Sequence, residues 1–112
     1  MTVEFDSATE TIRWEGVDVR IPGLGGAMRD PGSGLVVALS HAGAGRLLIF
    51  DDAGTPLGLV GAPDGYRLSH LVRQGHGLAV VGQGETSVDG WPDWHFEVDA
   101  RAATLRRATP AY

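Results

Sequence analysis

Residues 34–61 read GLVVALSHAGAGRLLIFDDAGTPLGLVG, and the reading of this stretch decides the fold. Leu35 to Leu39 is a continuous apolar run, too short for a helix and bounded by Gly34 and the turn residues Ser40 to Gly43. A strand covered on both faces has this pattern. Arg46 to Phe50 is a second such run, ending in Asp51-Asp52-Ala53-Gly54. There an Asp side chain can accept backbone N–H groups two residues on, and a glycine can take positive φ without a Cβ clash. Pro56 opens a third strand, Leu57 to Val60, at the one position where a missing N–H costs least. The stretch is a β-meander.

The same grammar extends outward. Val3 to Asp6 and Thr11 to Trp14 form a short hairpin, and Val17 to Ile21 alternates strictly, as a half-buried strand does. Pro22 to Gly34, with five glycines and two prolines, reads as a loop. Beyond the centre, Tyr66 to Arg73 alternates with Tyr66, Leu68, His70 and Val72 on one face, and Leu78 to Val81 is again wholly apolar. A polar loop spans Gly82 to Pro92, Asp93 to Asp99 alternates, and Ala103 to Ala108 closes a last hairpin. No segment sustains a 3.6-residue period, so helix is not expected.

Three segments align on an Asp: VEFDSATETIRW at Asp6, LIFDDAGTPLGL at Asp51 and FEVDARAATLRR at Asp99. Ile12, Leu57 and Leu105 each follow six residues later, and GLVVALS at Gly34 matches GLAVVGQ at Gly77. With strands labelled A to D, and Val17–Ile21 and Tyr66–Val72 both in slot A, the chain reads C-D, A-B-C-D, A-B-C-D. The units run approximately 1–16, 17–61 and 62–108 within a single domain, 1–112. The fold expected is all-β, about ten antiparallel strands in meander order. In the middle C strand both faces are apolar, whereas Thr2 and Glu4, and His95 and Glu97, make one face of the flanking C strands polar. A unit sandwiched between two terminal units has this signature.

The period and strand count resemble the blades of β-propellers. VEFDSATETIRW and FEVDARAATLRR look like the outer hairpin of pyrroloquinoline-quinone-type repeats, and RLLIFDDAGTPLG looks like the corresponding part of NHL-type repeats. The resemblance implies architecture only, because blades share no common active site. Closed propellers need typically about 4 to 8 blades, and two and a half cannot close. Either several chains complete a ring, or the strands form a small open β-barrel or sandwich.

Composition narrows the function classes. A net charge of −5, with nine Arg and no Lys, argues against nucleic acid or anionic membrane as partners, since both demand a basic face. The absence of cysteine removes disulfides and thiolate metal sites. MTVEFDSATE has neither a basic n-region nor an apolar h-region, and no run reaches the roughly 20 apolar residues that span a bilayer; a cytoplasmic location is expected.

Candidate chemistry is sparse. Asp93, His95, Glu97 and Asp99 fall on one strand face and include the imidazole and carboxylates a divalent cation takes, but a solvated outer face opposite Trp94, Phe96 and Val98 explains them as well. His70 reads as a core or interface histidine. Ser40-His41 and Ser69-His70 suggest a nucleophile and base, yet adjacent strand residues point to opposite faces. Asp51-Asp52 suggests a carboxylate pair, and the turn explains Asp51 without it. Gly23-Leu24-Gly25-Gly26 lacks the Lys-Ser/Thr of a phosphate loop. No catalytic residue and no cofactor are assigned.

The cluster Gly90-Trp91-Pro92-Asp93-Trp94 carries the one exposed-looking aromatic pair, and tryptophans in loops serve as binding anchors. Trp91, Trp94, His95, Glu85 and Asp89 are the ligand-binding candidates. The function expected is a non-enzymatic binding protein, in its specific form a small acidic immunity-type neutraliser of a basic protein partner. The alternative is a homo-oligomer completed by several chains, structural or binding a small polar ligand or carbohydrate.

Overall fold

The computed structural model describes residues 2–111. Eleven antiparallel strands form three sheets, and among the described residues there is no helix. The first sheet holds β1 (Glu4–Asp6), β2 (Thr11–Trp14) and β3 (Val17–Arg20). The second holds β4 (Leu24–Arg29), β5 (Val36–Ser40), β6 (Arg46–Phe50) and β7 (Pro56–Gly61). The third holds β8 (Tyr66–Gln74), β9 (Gly77–Gly84), β10 (Trp94–Asp99) and β11 (Thr104–Pro110). Every ladder joins strands consecutive in the chain. The sheets do not close into a barrel; they stack as an open three-layer sandwich with the second sheet in the middle.

Two apolar layers hold the stack. Ile12 and Trp14 of the first sheet meet Val36, Ala38 and Phe50 of the second. On the other face of the second sheet, Val37, Leu39, Leu47 and Ile49 meet Leu68, Leu78, Val80, Trp94 and Phe96 of the third. Alternation along β5 and β6 sends successive side chains to opposite layers, which is why Val36–Leu39 and Leu47–Phe50 are apolar throughout. The outer faces are polar: Glu4, Arg13 and Asp18 on the first sheet, His95, Glu97 and Arg106 on the third.

The three aligned aspartates do the same local work. Asp6 Oδ1 accepts Ala8 N–H (2.9 Å), Asp51 Oδ1 accepts Ala53 and Thr55 N–H (both 2.9 Å), and Asp99 Oδ1 accepts Ala102 N–H (3.0 Å). Asp51→Ala is expected to cost about 1–2 kcal/mol, because two turn donors lose their acceptor at an exposed site; a thermal melt beside the wild type measures it.

Three expectations are corrected. Pro22 to Gly34 is not all loop: Leu24–Arg29 forms β4, which pairs with β5 and fills slot A of the central unit. Val17–Arg20 is instead the third strand of the first sheet, joined to Trp14 by the two-residue turn Glu15 (φ 44°), Gly16 (φ 81°). Positive φ at both central residues is what a tight hairpin turn matching strand twist requires.

The third concerns orientation. The Asp6 turn lies at the opposite end of the stack from the Asp51 turn. Glu10, closing the Asp6 turn, accepts Gly23 N–H (2.6 Å), and Gly23 O accepts His41 N–H (2.8 Å) in the β5–β6 turn. At the other end, Trp14 Nε1–H donates to Asp52 O (3.0 Å) in the β6–β7 turn. The first sheet is therefore inverted relative to the other two. It covers one face of the second sheet.

Candidate functional site

The segment between β9 and β10 is pinned at several points. Val88 and Trp91 exchange backbone hydrogen bonds of 2.9 Å in both directions around Asp89 (φ 51°) and Gly90 (φ 86°), the Asp-Gly pairing that favours a two-residue hairpin. Glu85 N–H donates to Gly65 O (3.0 Å), Gly84 N–H to Asp93 Oδ1 (3.2 Å), and Trp94 Nε1–H to Trp91 O (3.0 Å). Gly84 is required here, since a Cβ on it would lie 2.2 Å from Pro92 O. The result is a hairpin held from its base, with Glu85, Asp89 and Trp91 exposed. Trp91 shows 39% of its surface to solvent.

Of the five binding candidates, the structure groups these three at one end of the third sheet and separates the other two. Trp94 is buried in the core beneath, with the Arg107 guanidinium carbon 4.8 Å from its ring centroid. Its alternation with Phe96 gives it to the apolar layer, so it anchors the loop from below. His95 points to the outer face, where Nδ1 lies 3.3 Å from Thr109 Oγ1. Asp64 was not singled out from sequence; it is exposed in the turn whose Gly65 carbonyl bonds Glu85, and Pro63-Asp64-Gly65 was its only signal.

The cation candidates do not converge. Among the described residues no three His, Asp or Glu side chains group to hold a metal. Asp93 is taken by Gly84 N–H, Glu97 by an ion pair with Arg106, and Asp99 by its own turn. A cleft of about 510 Å³ opens between the β4–β5 turn and the β10–β11 hairpin, lined by Asp30, Ser33, Glu97, Asp99, Arg101 and Arg106. Asp30 already bonds Ser33 Oγ (2.6 Å) and two backbone N–H groups.

The histidine readings also change. A β-bulge between Leu68 and His70 breaks the alternation of β8 and brings Ser69 Oγ to 3.0 Å from His70 Nδ1. Adjacent residues thus do meet, contrary to strict alternation, and His70 is exposed rather than in the core. Among the described residues no carboxylate hydrogen-bonds the imidazole to orient it, so the pair lacks the third member of a triad. Ser40 Oγ donates to the Pro22 carbonyl (2.7 Å), away from His41. His41 instead lies over Gly25, the extra residue of a bulge in β4, where a Cβ would come within 2.2 Å of Nε2. That close approach accounts for Gly25, and a φ of 75° for Gly23. Asp52, the second member of the carboxylate pair, forms an ion pair with Arg29.

No described helix is long and apolar enough to cross a membrane. Compared with protein-family models, with curated proteins and with solved structures, the chain matches none.

Proposed function

We propose that the chain is a non-enzymatic binding protein whose β9–β10 hairpin recognises a basic protein partner. The observation that carries this reading is Trp91, exposed on a hairpin fixed from below and flanked by Glu85, Asp89 and Asp64. An aromatic anchor already held in place loses little entropy on binding, and surrounding carboxylates steer a cationic surface toward it. The net charge of −5 adds long-range attraction of the same sign. Neutralising a basic toxin or nuclease, as immunity proteins do, is the specific form of this reading.

A ring completed by blades of several chains is less well supported. Further blades would stack on the outer faces, and these carry Glu4, Arg13 and Asp18 at one end and His95, Glu97 and Arg106 at the other. Terminal repeats carry such polar faces to end a stack.

The test is capture on immobilised protein from a library of basic proteins, in parallel with a Glu85→Gln/Asp89→Asn/Trp91→Ala variant. Binders expected to matter lose affinity at least about a hundredfold on the variant, as when a hot-spot aromatic and its charged rim go together. They associate faster at low salt. Binding that is equal on both surfaces, or insensitive to salt, refutes the assignment to this hairpin.

A further inference from the structure

The first sheet has three strands and the sheet it covers has four. Val17 and Val19 of β3 pack over the β6–β7 turn, where a Cβ on Gly54 would sit 2.6 Å from Val17 Cγ1. Among the described residues no strand covers Leu57 and Leu59 of β7. Its Leu59 stands opposite Leu48 in the register, on the face turned toward the first sheet, and is 59% exposed; Leu57, at the bulge beside Phe50, is 54% exposed. Beside this apolar shelf runs the open edge of β3.

That edge is ready to pair. Ile21 N–H donates to Glu10 O, so along β3 the odd-numbered residues turn their backbone groups inward to β2. By alternation the N–H and C=O of Asp18 and Arg20 point to the free edge. Both side chains are exposed on the outer face, 62% and 77% for Asp18 and Arg20. The sequence Val17-Asp18-Val19-Arg20-Ile21 is complementary in charge to its own reverse about Val19.

We propose that a second copy of this chain fills the vacant fourth place, β3 pairing antiparallel with β3 of the second copy about a two-fold axis at Val19. In that register Asp18 faces Arg20 of the second copy, and Arg20 faces its Asp18, through hydrogen-bonded backbone pairs. Val19 meets its own counterpart on the inner face, and the incoming strand lies across Leu57 and Leu59. Two three-stranded sheets become one of six strands. The same residue patch serves both partners, as a two-fold interface requires, and two opposite-charge cross-strand pairs set the register. This interface lies along the β3 edge and leaves the β9–β10 hairpin free, so it stands or falls independently of the binding reading.

The experiment is light scattering behind a sizing column, from about 10 μM to about 1 mM, the affinity range of a small interface. Wild type is expected to approach a mass twice the 11.8 kDa of the chain as concentration rises. Asp18→Arg alone sets like charges opposite at both contacts and should weaken self-association at least about tenfold; Arg20→Asp alone should do the same. An equimolar mixture of the two variants restores both ion pairs between unlike copies and should associate about as tightly as wild type. Both positions are exposed, and an unchanged strand signal by circular dichroism shows that each variant folds. A wild-type mass of one chain throughout overturns the proposal, and so does a wild-type dimer matched by no association in the mixture.

Discussion

Trp14→Ala is expected to lower the unfolding free energy by about 3–5 kcal/mol, the range for deleting a buried tryptophan. Trp14 is 2% exposed, its ring centroid lies 6.2 Å from that of Phe50, and its Nε1–H is bonded to Asp52 O. It is the side chain through which the inverted first sheet grips the second, at the end away from Glu10. Truncation leaves a cavity in the smaller apolar layer and removes the hydrogen bond to Asp52 O. For a domain of this size each kcal/mol lowers Tm by about 4–8 °C, so a calorimetric scan should show a fall of about 12–40 °C. A loss under about 1 kcal/mol would mean that the first sheet is not integral to the fold. Trp14→Phe, which keeps one aromatic ring in the layer while losing the donor and part of the ring volume, should cost less than Trp14→Ala.

Gly45→Ala is the second large effect expected, about 2–4 kcal/mol, from backbone strain and overpacking together. Gly45 has φ 97°, and a Cβ there would lie 2.8 Å from Leu68 Cβ. The backbone of this turn also bonds directly across to the linker and the third sheet: Ala44 O accepts Leu68 N–H (2.9 Å) and Gly45 O accepts Ala62 N–H (3.2 Å). One methyl group therefore wedges two sheets apart where they are hydrogen-bonded. Gly43→Ala supplies the control. Its φ is 63° but its Cβ position is open, so only the cost of the left-handed conformation, about 1–2 kcal/mol, should appear. Urea melts of the pair measure the packing cost as the difference between their midpoints at constant m. Equal losses in the two variants would show that the wedge is not there.

What could be read from the residues was what local chemistry determines. The Asp turns at Asp6, Asp51 and Asp99 follow from a carboxylate beside backbone donors, and the double-sided apolar runs of β5 and β6 follow from burial on both faces. β4 was not legible, because Leu24-Gly25-Gly26-Ala27-Met28-Arg29 has no β-branched residue and becomes a strand through its neighbours, β5 in the ladder and β1 and β8 across it. The inversion of the first sheet was not legible either. VEFDSATETIRW specifies a hairpin and which residues share a face, but nothing in it says which end of the next sheet its turn will meet. At the candidate site, the polar composition of residues 82–92 marked Trp91, Asp89 and Glu85 as surface residues. Burial of Trp94 follows from its place beside Phe96 on the inner face of β10, while the space over the facing Gly82 is filled by the rings of Phe96 and Tyr66. The bulge at Ser69 has no marker in sequence, so the Ser69–His70 contact could not be foreseen.

The neighbour-to-neighbour pairing of all eleven strands bears on how the chain reaches this state. No strand waits for a distant partner before it can bond, in contrast to Greek-key sandwiches, where ladders close over long loops. Hairpins of this kind form in about 1–10 μs. The slow event is then the meeting of three preformed ribbons along their apolar faces, a search with few degrees of freedom. Docking of the first ribbon onto the second joins segments separated by the shorter of the two linkers, Ile21 to Gly23. A protein made this way is completed in the order in which it is synthesised, each ribbon finding its seat on the one before it.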